Sequence, residues 1–91
     1  MEITEVKVRH IKSANRLKAI ASITIDNALA IHDIKIIEGE QGHFLAMPSA
    51  QLKDGSFRDS VHPVNAQTRK MIHNAVIEKY EASIIEMEYV E

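Results

Sequence analysis

Cysteine is absent from the chain, which excludes disulfides, zinc fingers, iron–sulfur clusters and thiol catalysis. Tryptophan is absent as well, and the 91 residues include only two Tyr and two Phe. A core must therefore be assembled from Ile, Val, Leu, Ala and Met. Three glycines are too few for a nucleotide-binding glycine fingerprint. No apolar run approaches the roughly 20 residues of a membrane-spanning helix, and no signal peptide is visible, so the cytoplasm is the expected address. An excess of positive charge is also lacking: the formal net charge is −2, which is not the signature of a globally basic nucleic-acid binder. What is present is the balance of an ordinary globular protein, 45% hydrophobic and 26% charged. The length is that of one domain with a modest core.

The charge is unevenly distributed. Lys7, Arg9, Lys12, Arg16 and Lys18 oppose only Glu2 and Glu5 in the first twenty residues, whereas Glu78, Glu81, Glu86, Glu88 and Glu91 oppose only Lys79 after residue 70. Exposed charges are screened beyond about 8 Å at physiological salt, so a polyanion would respond to a local patch rather than to the net value. The plainer reading is that these residues form solvated faces.

The first two thirds of the chain read as strands. Val6, Val8 and His10 alternate with Glu5, Lys7 and Arg9, the period of a half-buried strand. After a turn at Ser13–Arg16, Leu17, Ala19, Ala21, Ile23 and Ile25 give the strongest alternation in the chain. Asp26-Asn27 is a turn pair. Ala28–Ile37 carries apolar residues on both parities, with Leu29, Ile31 and Ile37 on one and Ala30, Ile34 and Ile36 on the other. Such a strand is expected to be central, or covered by a helix or a second subunit. Gly39–Gly42 is a turn, His43–Met47 a short strand stopped by Pro48, and Lys53-Asp54-Gly55-Ser56 carries a hairpin signature returning into Phe57–Val61. The short connections favour an antiparallel meander.

The period then changes. Asn65 is an N-cap candidate, and Ile72, Val76 and Tyr80 recur every four residues opposite Gln67, Lys70, Asn74, Glu78 and Glu81. The spacing predicts one amphipathic helix over about 66–81. The tail, 82–91, reads equally as a helix extension, a strand or a dimer contact. The expected fold is α+β: an antiparallel sheet of four to five strands followed by one C-terminal helix. One helix cannot cover both faces of such a sheet, so a twofold homodimer is expected.

Little in the sequence offers catalysis. His10, His32, His43, His62 and His73 lack metal-ligand spacing, and His62, held extended before Pro63, is expected to bond backbone in that corner. His32 and Asp33 are adjacent in a strand, so simple alternation sends them to opposite faces. No cofactor, metal site or enzymatic activity is expected. The helix start is more informative. Arg69 and Lys70 oppose the helix dipole, which favours anions there by roughly 0.3–1 kcal/mol per exposed charge. A bound phosphate would explain them, as would a neighbouring acid or simple tolerance. Arg58 and Lys53 are candidates for the same surface. Phe44 and Phe57 read either as core residues or as base-stacking ones, with core packing the expectation.

Several motifs together resemble one bacterial family, the stage V sporulation protein G (SpoVG) septation proteins. They are Lys18-Ala19, Ser22-Ile23-Thr24, the run Ile31–Gly39, Phe44-Leu45-Ala46-Met47-Pro48-Ser49, Asp54–Asp59 and His62-Pro63-Val64-Asn65. The similarity covers about residues 1–81, in the same order and spacing. The resemblance implies a small dimeric cytoplasmic regulator linked to septum formation and sporulation that binds DNA and RNA. It implies nucleic-acid contact through basic residues at the helix start, here Arg69 and Lys70. It also marks a departure: many members carry two consecutive basic residues after Pro-Ser, where this chain has Ala50 and Gln51, leaving Lys53 as the nearest base. That departure keeps a second reading open, a protein-interaction module in septum formation with weak or no nucleic-acid binding.

Overall fold

The computed structural model describes residues 1–12 and 15–90, with 85–90 described by their backbone alone. The fold is α+β. Four antiparallel strands, β1 (Ile3–His10), β2 (Leu17–Ile25), β3 (Leu29–Gly39) and β4 (Gly42–Ala46), lie in the order β1-β2-β3-β4. A separate two-stranded ladder follows, β5 (Ser49–Gln51) and β6 (Phe57–Asp59), and then one helix, α1 (Ala66–Val90). The turn expected at Ser13–Arg16 falls partly outside the described residues.

The alternation in β2 has its expected result. Ala19, Ala21 and Ile23 are buried beneath α1, together with Ile34 and Ile36 of β3 and Ile72, Val76 and Tyr80 of the helix. No polar side chain among the described residues is buried. The β2–β3 turn is the Asp26-Asn27 pair. Both residues take positive φ (52° and 53°), and Ala28 N–H donates to Ile25 O at 2.9 Å. Those angles are the twist-matched type I′ turn, which Asp and Asn tolerate better than other non-glycine residues. β1 pins this turn: Glu2 N–H donates to Asp26 Oδ1 at 2.8 Å, and Asn27 N–H donates to Thr4 Oγ1 at 3.0 Å.

β3 departs from simple alternation. Ile31 pairs with Ile23 and Ile34 with Ala21, so Ser22 alone opposes both His32 and Asp33, and Asp33 takes φ 62°. This is a β-bulge, which shifts the strand by one residue and brings Ile31 into the packing with Ile34 and Ile36. The two apolar parities thus belong largely to one face. They do not describe two buried faces, and the second-subunit argument built on β3 loses that support.

The hairpin signature at Asp54-Gly55 is right in place but longer in form. Its turn spans Leu52–Gly55, with Gly55 N–H donating to Leu52 O at 3.0 Å and Gly55 at φ 90°. The Asp54 carboxylate accepts from Ser56 Oγ at 2.6 Å and from Ser56 N–H at 3.0 Å. These two bonds hold its pKa below the ordinary 3.8. The returning strand ends at Asp59 rather than Val61, where Ser60 N–H turns to Pro48 O at 2.7 Å.

α1 starts where its cap predicts. Asn65 Oδ1 accepts from Thr68 N–H at 2.7 Å and Asn65 O accepts from Arg69 N–H at 3.1 Å. It continues past Glu81 to Val90. No Gly or Pro interrupts 82–90, and Ile84 prolongs the Ile72–Val76–Tyr80 stripe against the core. The Tyr80 ring lies between two histidines, 5.1 Å from His10 of β1 and 5.0 Å from His43 of β4. Ser83 Oγ donates to Tyr80 O at 2.9 Å and so accepts from His10 Nε2–H at 2.7 Å, which fixes the proton on Nε2 of that imidazole. Burial raises the Tyr80 pKa above 10.0, with the Glu38 charge adding to it.

Candidate nucleic-acid interface

The start of α1, the β5–β6 ladder and the end of β4 enclose a cleft of about 480 Å³. That is within the range of roughly 300–1,000 Å³ usual for ligand sites. Arg69 lines it, as do His73 one helical turn on and His62 and Pro63 from the approach to the helix. Phe57 and Asp59 line it from β6. They are two residues apart, so they share one face of the ladder.

Pro63 O organises the entrance. It lies 3.4 Å from Arg69 Nη2, which donates to it, and 3.2 Å from His62 Nδ1. The backbone role expected of His62 is the one observed. The first turn of α1 carries no acidic residue. The cap uses the Thr68 amide, and the first-turn amides of Ala66 and Gln67 have no intrahelical acceptor. Arg69 thus lines the cleft from the start of a helix whose dipole favours anions at that end.

The other three candidate cations sit elsewhere. Lys70 is exposed on α1 but does not line the cleft. Arg58 lies between Phe57 and Asp59 and so takes the opposite face of the ladder, directly across from Ala50. Lys53 is exposed in the β5–β6 loop. The structure thus brings Arg69 to the cleft and leaves Arg58, Lys53 and Lys70 around its outside, all of them exposed. Further cations on the amino-terminal strands are partly engaged: Lys7 lies 3.7 Å from Glu5 and Lys18 3.4 Å from Glu38.

Sequence reasoning misplaced the two phenylalanines. Phe57 is 70% exposed and Phe44 47%, so neither is a core residue. It also missed Asp59 and His73 as neighbours of Arg69. Two spacings carried the signal: i+4 on the helix for His73, and the alternation Phe57/Asp59 around Arg58. The bulge at Asp33 overturns another expectation. His32 and Asp33 both line one recess of about 300 Å³ on the sheet face, with Lys7, Arg9 and Ser22, instead of pointing to opposite faces. No hydrogen bond joins the two among the described residues. Nor do the described residues contain a His, Asp and Glu grouping able to hold a metal ion, or a helix long and apolar enough to cross a membrane.

Comparison with known proteins yields a consistent set of relatives. The SpoVG family model matches residues 1–82. A SpoVG septation protein of Caldicellulosiruptor bescii is 54% identical over 84 residues, covering 92% of this chain and 96% of its own length. One from Acetivibrio thermocellus is 51% identical over 82 residues, covering 90% of this chain and 87% of its own length. A third, from Agathobacter rectalis, is 48% identical over 84 residues, covering 92% and 97%.

Proposed function

Because this chain belongs to the SpoVG family, we propose that it is a small cytoplasmic regulator of septation and sporulation that acts by binding DNA or RNA. The observation that carries the reading is Arg69: a guanidinium at an acid-free helix start, opening onto a cleft with an exposed aromatic. Nucleic-acid phosphates are the anions that fit this arrangement, through the guanidinium at the helix start. Lys70, Arg58 and Lys53 supply further backbone contacts around the cleft. None of these residues has an enzymatic task.

The working unit is a homodimer. Leu52, Val61 and Val64, in the segment between β4 and α1, are 44%, 39% and 84% exposed and are apolar side chains that contact with a second copy would cover. Pairing two modest sites raises avidity without deepening either. Light scattering behind size exclusion tests the dimer, and a monomer at micromolar concentration refutes it.

Binding is tested by fluorescence anisotropy over a salt series. Arg69→Glu with Lys70→Glu abolishes binding to DNA and RNA while the mass of the assembly stays the same. Unchanged affinity at low salt refutes the assignment. The exposed Val64 also favours a second reading, a module that docks division proteins. Partner capture that survives nuclease treatment supports that reading.

A further inference from the structure

We propose that the cleft beside Arg69 receives a single unpaired nucleotide, its base stacked on Phe57, so that the protein prefers single-stranded to duplex nucleic acid. This inference rests on the nucleic-acid reading above and specifies its substrate.

Three observations converge on it. Phe57 leaves 70% of its surface in water although it sits on a cleft wall, so a flat apolar platform is available and unfilled. Arg69 lines the same cleft, its guanidinium donating to Pro63 O. The third is Asp59, on the same ladder face as Phe57 and also in the wall. A bare phosphate or an acidic peptide side chain offers that carboxylate no donor. A nucleotide does: its phosphate suits Arg69, its ring face suits Phe57, and the N–H groups on its base edge suit Asp59. Few ligand classes combine an anion, an aromatic face and a hydrogen-bond donor edge within one cleft of about 480 Å³.

A paired base cannot enter, because both its faces are stacked and its donor edge is engaged with its partner. Exposed bases of a single strand are free to do so without unstacking a duplex. Stacking accepts every base, while Asp59 adds a preference for bases that present N–H donors. Arg58, on the far face of the ladder, and Lys70, on the helix, then track the neighbouring phosphates.

The test uses the intact protein and four probes: the same sequence as single-stranded DNA, single-stranded RNA, and each as a duplex. A 2-aminopurine in the single strands reports stacking by quenching, and with no Trp in the chain its signal is unobstructed. Wild type quenches the probe. Phe57→Ala weakens single-strand binding about tenfold, leaves duplex binding unchanged and abolishes the quench. Phe57→Tyr restores both binding and quenching. Phe57 is exposed, so its removal takes no core packing away, and circular dichroism on each variant checks the fold. Unchanged single-strand affinity in Phe57→Ala, with Arg69→Glu still impaired, overturns the stacking site and leaves the backbone reading standing. Dissociation of a dimer by Phe57→Ala overturns it too, by assigning the platform to a second copy. Wild-type protein that binds none of the four probes removes both readings.

Discussion

Ala50 offers a direct experiment on the outer face of the β5–β6 ladder. It stands across from Arg58, and by the family resemblance it takes the place of the first of two basic residues. Directly opposed residues of an antiparallel pair have Cβ atoms about 4.5–5.5 Å apart. Ala50→Lys therefore sets two cations side by side. In the free protein the repulsion costs about 0.2–1 kcal/mol, a loss small enough to leave the fold intact. On a bound strand the same ammonium neutralises one more phosphate. Each such contact steepens the fall of log affinity with log salt by about 0.7 for a single strand and about 0.9 for a duplex. If counterion release is the only gain, affinity for a single strand rises roughly fivefold at 0.1 M salt. Anisotropy titrations from 50 to 400 mM salt read both quantities. Ala50→Gln serves as the neutral control, and Ala50→Glu, which pairs with Arg58, weakens binding. An unchanged slope in Ala50→Lys would mean that this face of the ladder never meets the backbone, and Arg58 would leave the interface with it.

Other consequences are simpler to check. Ile36 has no exposed surface, so Ile36→Ala costs about 2–5 kcal/mol in urea unfolding, a large share of the roughly 5–14 kcal/mol expected for a chain of this length. Ser83→Ala leaves His10 Nε2–H without its acceptor and costs about 1 kcal/mol by the same assay. For Asp54, the folded pKa lies below the unfolded value near 3.8, so its contribution is complete above 3.8 and disappears as pH falls through the folded pKa. Carboxyl NMR titration reads this directly, and Ser56→Ala moves the midpoint up towards 3.8. If the midpoint does not move, the Ser56 hydroxyl bond is not what depresses it.

Much of this architecture is legible in local chemistry. The alternation of Leu17 to Ile25, the Asp26-Asn27 turn and the Asn65 cap each express a rule that acts within a few residues, and each appears where the rule sets it. The bulge in β3 is different. Its trace in the sequence is an odd spacing, Ile31 to Ile34, which reads equally well as a strand with two apolar faces. Only the pairing of Ser22 against His32 and Asp33 separates the two. The exposure of Phe57 was hidden for a similar reason. Its apolar neighbours argue for a core, but the ladder it occupies is a sheet separate from the four-stranded one, and both strands of that ladder are solvent-exposed. Arg69 stands out in the sequence through helix electrostatics and the family resemblance. Its companions in the cleft required the tertiary fold, because β6 and α1 meet around a corner that no local pattern encodes.

The ring of Tyr80 touches both outermost strands of the sheet. Strands spaced about 4.8 Å apart would put β1 and β4 about 14 Å from each other in a flat sheet, yet His10 and His43 have ring centroids no more than about 10 Å apart, each packed on the same phenol. The phenol thus works as a keystone in an arch whose two feet are the edge strands. Neither edge can peel away without loosening the other, so the amides of β1 and β4 should exchange with solvent as one cooperative unit. Cutting the keystone by Tyr80→Ala should release both margins together, although they are separated by more than thirty residues of chain.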